Sequence, residues 1–183
     1  MTEFNVFSPE IIIAFCAILT SVVSIILTIQ TLKTQKQHNL KSVKPIGYII
    51  SGNYENDIYI AIGNNGIGPL IIKEFKVSNS RLSALNLIDI IPSNINDNVT
   101  WKDYTSNIVG RAIKSGDRIY LLRLSFDEIE MQQDKNIAIK KELREFLQDL
   151  ILELTYTDIY EKETYNAIKN LGHFKIKKSA AKK

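Results

Sequence analysis

The chain has 183 residues, which is the size of one ordinary domain. Its formal net charge of +3 is too small to indicate a protein that binds nucleic acid. With one cysteine, Cys16, and two histidines, the sequence offers neither an internal disulfide nor a set of His and Cys ligands for a metal ion. We therefore expect no metal, no cofactor and no nucleic-acid partner.

The first predicted element is a transmembrane helix over residues 11–32. Residues 11–29 contain no charge and no proline, and as a helix they reach roughly 28 Å, close to the thickness of a bilayer core. A buried core helix is the alternative, but such helices are rarely apolar on all faces over this length. The first ten residues contain Glu3 and Glu10 and no basic residue, and no cleavage pattern follows, so we expect an anchor rather than a removed signal peptide.

Basic residues follow the predicted span, in a segment over 33–45 that we expect to be a juxtamembrane linker. The positive-inside tendency then predicts that the C-terminal side is cytoplasmic and that residues 1–10 lie outside the cell inner membrane. A second basic stretch, 173–183, is either attracted to anionic lipid or a solubilising end. The expected membrane-surface set is Lys33, Lys36, Lys41 and Lys44.

Small or hydroxylated residues recur along the apolar segment in alternating steps of three and four. Such a stripe allows helices to approach closely and favours association, either in a homo-oligomer or with a membrane partner. Several copies around an axis would line a polar path, whereas hydroxyls that bond only their own helix would say nothing about assembly. The stripe is Ala14, Ala17, Ser21, Ser24, Thr28 and Thr31, and the same steps continue to Gln35 and His38.

After Pro45 the hydrophobic period changes from 3.6 to 2, which predicts a mainly-β domain over residues 46–172. An α/β fold would need a helix between most strands, and none fits between residues 46 and 77. We therefore predict an antiparallel β-sandwich with two short inserted helices. The predicted strands are 46–51, 58–63, 71–77, 118–126, 150–157 and 162–170, and the predicted helices are 81–91 and 137–150.

A glycine-rich loop, IGNNGIGPL, follows the second predicted strand. A phosphate-binding loop would lead into a helix and end in Lys-Ser or Lys-Thr, but here an alternating strand follows. Asn65, Gly66, Gly68 and Pro69 are therefore interpreted as a structural turn, with Asn65 and Gly66 at positive φ and Pro69 starting the next strand.

Few residues indicate chemistry. The carboxylates of residues 127–134 fit no calcium-loop spacing and are interpreted as a solvated face. The aromatic residues near the last hairpin and in one loop are either a nucleotide-stacking platform or partly buried strand aromatics. We name no catalytic residue and do not expect an enzyme. The aromatic residues considered are Trp101, Tyr104, Tyr156, Tyr160 and Tyr165.

The order of these motifs resembles a broad group of small bacterial single-pass membrane proteins. The match is carried by Gln37, His38 and Asn39 at the membrane exit and by the turn from Asn65 to Pro69, while Leu70 stands where alanine is usual. The resemblance implies a cytosolic immunoglobulin-like sandwich and no known catalytic role. We expect a membrane-anchored module that binds a cytosolic protein or a nucleotide signal, or alternatively a membrane-permeabilising effector of anti-phage defence.

Overall fold

The structure is a computed structural model that describes residues 8–131 and 133–175. The chain divides into two compact units, with the boundary between Ser42 and Val43. The first unit is a single long helix, and the second is a β domain with its own hydrophobic core.

Pro9–Ser42 form one uninterrupted helix, α1. Its 34 residues give a length of about 51 Å. None of its side chains is buried, and the helix is long and apolar enough to cross a membrane. The predicted span 11–32 lies within α1. The segment 33–45, predicted to be a linker, is helical as far as Ser42, and the helix ends before Pro45, which cannot continue it.

The second unit contains the strands expected from the alternating pattern, three very short strands and three short helices. The strands are β1 (Gly47–Asn53), β2 (Asp57–Asn64), β3 (Leu70–Ser78), β4 (Ser83–Ala84), β5 (Asp103–Tyr104), β6 (Ala112–Ile113), β7 (Arg118–Ser125), β8 (Ile151–Thr157) and β9 (Thr164–Asn170). The helices are α2 (Ser93–Asn96), α3 (Glu128–Met131) and α4 (Asp134–Leu147), with 3-10 turns at Ile88–Ile90 and Gly172–Phe174.

All strand pairs are antiparallel and form two sheets. The order is β1-β2-β7-β5 in the first sheet and β4-β3-β8-β9 in the second, with β6 pairing beside β3. These orders correspond to A-B-E-D and C′-C-F-G of the immunoglobulin fold. The predicted antiparallel β-sandwich is therefore confirmed, and its two edge strands on one side are β1 and β9.

The core lies between the two sheets, and α4 covers one of its edges. β2 buries the three isoleucines of its alternating pattern, as predicted. On β3, regular alternation over the predicted strand 71–77 would place Ile71 on the same buried face as Phe75 and Val77, but this prediction is wrong because Ile71 is only half-buried. A β-bulge between Ile72 and Glu74 shifts the alternation, so Ile72 is fully buried instead. In the connection between β7 and β8, α4 packs Ile139, Leu143 and Leu147 into this core, close to the predicted helix 137–150.

The predicted helix over 81–91 is wrong. The side-chain oxygen of Asn79 accepts two hydrogen bonds, each 2.8 Å, from following backbone N–H groups, and the chain then pairs with β3 as β4. Leu82 and Leu85, which suggested a buried helical stripe, are 49% and 62% exposed. A local Asn turn competes with a helical start. Only the 3-10 turn Ile88–Ile90 is helical within this range.

The sandwich has two ends that matter for function. We call the end at which the chain enters from α1 the junction end, and the opposite end the distal end. Strand directions place residues 43–46, 65–69, 114–117 and 158–163 at the junction end, and the β1–β2 turn and the C-terminal end of β9 at the distal end.

Candidate functional site

The predicted stripe lies on one exposed face of α1. Each of its hydroxyl groups donates a hydrogen bond to a backbone carbonyl of the same helix, four residues earlier. The distances are 2.8 Å for Ser21, 2.7 Å for Ser24, 2.8 Å for Thr28 and 2.8 Å for Thr31. The hydroxyl protons are therefore satisfied within the helix, which makes this face compatible with an apolar surrounding. Association through the stripe stays a prediction.

Beyond its apolar part, the same side of α1 becomes polar and slightly concave. The stripe continues there through Thr31, Gln35 and His38, as its steps require. Neighbouring amides extend this surface along two further turns of the helix. The residues of the surface are Leu27, Gln30, Thr31, Thr34, Gln35, His38 and Asn39.

The four lysines expected at a membrane surface do not share one environment. Lys33, Lys36 and Lys41 are exposed on the last turns of α1. Lys44 belongs to the β domain, where its ammonium group lies 4.7 Å from the centroid of the Tyr165 ring. Lys44 is thus engaged in a cation–π contact within the domain.

The centre of the junction end is Asn64, a residue that the sequence reading did not select. Asn64 is fully buried at the end of β2. Its Oδ1 accepts hydrogen bonds from the backbone N–H groups of Ile46 (3.1 Å) and Gly66 (2.9 Å). Its Nδ2 donates to the carbonyl oxygens of Gly68 (2.7 Å) and Ile113 (3.1 Å). One side chain therefore joins the incoming chain, the glycine loop and β6.

The glycine loop connects β2 in one sheet to β3 in the other, so a strand follows it and not a helix. The reason given for its residues is wrong, because neither Asn65 nor Gly66 has a positive φ. A Cβ atom on Gly66 would overlap the backbone of Lys44 and Ile46, and one on Gly68 would overlap the backbone of Val43. The glycines are needed for close backbone approach.

Of the predicted aromatic group, the structure brings together two members. The rings of Tyr156 and Tyr165 are 5.5 Å apart, and the Tyr165 hydroxyl donates a 2.6 Å hydrogen bond to Glu163. This hydrogen bond, with some burial, raises the pKa of Tyr165 to about 12. Trp101 donates to Asn96 instead, at 2.8 Å, in the loop that follows α2.

A tyrosine-rich surface that the sequence reading missed covers the outer face of the first sheet. The ring of Tyr48 lies over Gly63, and that of Tyr59 lies over Gly52. The Tyr59 and Tyr120 rings meet edge to face, with centroids 5.8 Å apart. The sequence signal was available, because each of these glycines stands opposite a tyrosine in adjacent alternating strands.

Two carboxylates of residues 127–134, those of Asp127 and Glu130, have local structural partners. Asp127 accepts from the backbone N–H of Glu130 (2.7 Å), and Glu130 accepts from that of Asp127 (3.1 Å), which is a capping box for α3. Within residues 8–131 and 133–175, no group of His, Cys, Asp and Glu side chains is arranged to hold a metal ion. A polar cleft of about 430 Å³ lies beside this turn, lined in part by Lys102, Ser125 and Asn136.

Neither the comparison with family models nor that with curated proteins identifies a relative of this chain. Function is therefore inferred from the helix, the sandwich and their side chains.

Proposed function

We propose that this is a non-enzymatic bacterial protein, anchored in the inner membrane by α1, whose cytosolic β-sandwich binds a partner or a signal. The observation that carries the proposal is the combination of an apolar helix with no buried side chain and a β domain with a complete core. In water, α1 would expose its apolar side chains over residues 11–32, which is costly, whereas lipid would cover them.

The proposed orientation places residues 1–10 outside and the sandwich in the cytoplasm. It is supported by Lys33, Lys36 and Lys41, which follow the apolar part of α1 and are exposed. The direct test of anchoring is extraction of a membrane fraction with alkaline carbonate. We expect the full chain to remain in the pellet, and release into the supernatant would contradict the proposal.

Oligomerisation through the stripe is the second part of the proposal. A spacing of three and four keeps the small residues facing one partner along α1, and their side chains leave room for a neighbouring backbone. Association of the helices would also raise the effective concentration of the attached sandwiches. Binding of a partner or signal by the cytosolic sandwich could thereby change how the helices associate in the membrane.

The experiment replaces Ser21 and Ser24 with leucine and measures oligomer size in detergent. The matched control replaces Val22 and Val23, which lie off the stripe, with leucine. We expect the stripe variant to shift to smaller species and the control to keep the size of the unmodified protein. An unchanged size in the stripe variant would contradict helix association.

The alternative function is a membrane-permeabilising effector of anti-phage defence. The feature that favours it is the position of Ser21, Ser24 and Thr28 on one face of α1. Their hydroxyl groups donate within the helix, but the oxygens can still accept hydrogen bonds, and several copies around an axis would place them along a narrow polar path. Dye entry during overexpression tests this alternative. Dye leakage that is lost when Ser21 and Ser24 are replaced with leucine would support the effector. Membranes that stay intact under every trigger would contradict the effector and favour the binding module.

A further inference from the structure

Basic side chains from α4, from β9 and from the 3-10 turn Gly172–Phe174 lie along the side of the sandwich between its edge strands β1 and β9, near the distal end. The Nε atom of Arg144, on α4, donates a 2.7 Å hydrogen bond to Oδ1 of Asn53 on β1. A second guanidinium nitrogen lies 3.5 Å from the carbonyl oxygen of Tyr54. Asn53 stands opposite the buried Ile58, so it lies on the core side of the edge strand β1.

Two residues further back on the same side of β1, Ser51 meets a histidine. Ser51 Oγ and His173 Nε2 are 3.1 Å apart. Lys169, on the edge strand β9, faces the same side because it stands opposite the buried Leu152. Burial lowers the pKa of His173, and the positive charge of Lys169 lowers it further. No carboxylate among the described residues orients the His173 ring, so the pair lacks the third member of a catalytic triad.

Lys140 completes the group, one helical turn before Arg144. Only 5% of the Lys140 residue surface is exposed, and no hydrogen bond or ion pair joins its ammonium group to any residue that the structure describes. The ammonium nitrogen is not among buried atoms left without a partner, so the burial belongs to the aliphatic part of the side chain. Burial lowers the pKa of Lys140, the charge of Arg144 lowers it further, and Glu55 acts in the opposite direction.

We refer to Lys140, Arg144, Lys169 and His173 as the basic cluster. The three ion pairs among the described residues lie elsewhere, at Lys73, Arg123 and Lys141. No carboxylate of the described residues is therefore ion-paired with the cluster. Lys140 and Arg144 lie one helical turn apart, and like charges at this spacing repel each other unless an anion offsets them. Arg and Lys side chains beside a hydroxyl and an amide form a suitable donor set for the three oxygens of a phosphate group.

We propose that the basic cluster, with Ser51 and Asn53, binds the phosphate group of a small anionic ligand. The inference rests on the proposed function and deepens it, because it assigns the signal that the sandwich binds to a chemical class. A nucleoside phosphate and free inorganic phosphate share this chemistry, and the experiment includes both.

The first test uses the full-length protein in detergent micelles, with ¹³C-labelled histidine. The chain contains two histidines, His38 on α1 and His173 in the cluster, so the spectrum carries its own control. Titration with inorganic phosphate, and separately with adenosine monophosphate, should shift the imidazole signals of His173 and leave those of His38 in place. Equal shifts of both histidines, or no shift of either, would overturn the proposal.

The second test compares two neighbouring lysines of α4. Lys140→Met removes the ammonium group of a residue that is 5% exposed, while Lys141→Met removes that of an exposed residue, which lies 4.0 Å from Glu145. We expect Lys140→Met to weaken the affinity for phosphate by about tenfold or more, since it removes a charged hydrogen bond, and Lys141→Met to change it little. Equal weakening by both variants would show nonspecific attraction and overturn the site.

Carbonate extraction of the membrane fraction, and the oligomer size of the protein then purified from it in detergent, separate this proposal from the proposed function. If the phosphate site is wrong and the proposed function is right, the chain stays anchored and oligomeric, and the His173 signals do not shift when phosphate is added. A failed anchor would release the chain from the membrane while the basic cluster could still respond. Tighter binding of adenosine monophosphate than of inorganic phosphate would identify a nucleotide as the source, and equal binding would identify phosphate itself.

Discussion

The helix α1 and the β-sandwich differ in where their apolar side chains lie. The sandwich buries its apolar side chains in one cluster between its two sheets, whereas α1 buries none of its side chains. The stability of the sandwich is therefore contained in its own contacts, and that of α1 depends on what surrounds it. The comparison teaches that a substitution in one unit should be measured differently from a substitution in the other.

The point at which the chain passes from one unit to the other is tightly specified on the domain side. From Val43 onward the backbone lies against Gly66 and Gly68, and Asn64 bonds the backbone of Ile46. The domain therefore begins immediately after α1 ends, with Val43–Ile46 held as part of its fold. Variants in this region should act on the sandwich, although the sequence places them beside the predicted membrane exit.

The largest effect is expected for Gly68→Ala. Its Cβ atom would overlap the backbone of Val43, which cannot move aside as a flexible side chain would. We expect a loss of about 3 kcal/mol or more in the free energy of unfolding. Urea denaturation followed by circular dichroism measures this, with Ser115→Ala in a neighbouring exposed turn as the control. A loss below about 0.5 kcal/mol would show that the contact with Val43 is not tight.

Next in size is Asn64→Ala, compared with Asn65→Ala. Loss of Asn64 leaves two N–H groups and two carbonyl groups without their partner, at a cost of about 2–4 kcal/mol. Asn65 is exposed, and its replacement should change the free energy of unfolding by about 0.5 kcal/mol or less. The same denaturation experiment checks both variants. Similar losses in the free energy of unfolding would contradict the central role of Asn64 at the junction end.

A smaller effect is expected at high pH through Tyr165. Because the pKa of Tyr165 is raised from 10.0 to about 12, the folded state favours the neutral phenol. Its contribution to stability is therefore complete below pH 10 and is lost as the pH rises through about 12. Ultraviolet titration at the tyrosinate band should show one late-titrating tyrosine that is missing in Tyr165→Phe. Identical titration curves would contradict the Glu163 hydrogen bond.

The smallest effect on the sandwich is expected from changes in α1. Ser21→Leu and Ser24→Leu should alter oligomer size while leaving the unfolding midpoint of the β domain unchanged, since α1 contributes no side chain to the core of that domain. Denaturation of the leucine variant beside the unmodified protein tests this separation. A clear shift in the unfolding midpoint of the β domain would contradict the independence of the two units.

Much of this fold is predictable from the sequence, because the strong signals are local. The alternation of β2 and the uninterrupted apolar run of α1 each follow from a single period. The helix predicted over 81–91 fails because the Asn79 side chain stabilises a turn that competes with the helical period. The β3 bulge shifts the buried position from Ile71 to Ile72, and such a bulge is fixed by pairing with β8, not by β3 itself.

The candidate site residues were less predictable, because they depend on contacts between distant segments. Asn64 gains its importance from Ile46 and Ile113, which are 18 and 49 residues away in the chain. The residues of the basic cluster come from α4, from β9 and from the 3-10 turn Gly172–Phe174, and no spacing in the sequence predicts that they lie along the same side of the sandwich. The glycine loop leads into a strand, as predicted, yet the reason for its glycines lies in the backbone of Val43 and Lys44.

The central claim is that α1 crosses the inner membrane with the sandwich on the cytoplasmic side. Its most direct test is labelling of single cysteines with a membrane-impermeant maleimide in intact bacterial spheroplasts, in a Cys16→Ser background. We predict that Thr2→Cys reacts in intact cells and that Ser115→Cys, on an exposed turn of the sandwich, reacts only after the membrane is opened. Reaction of Ser115→Cys in intact spheroplasts, or failure of Thr2→Cys to react there, would contradict this account.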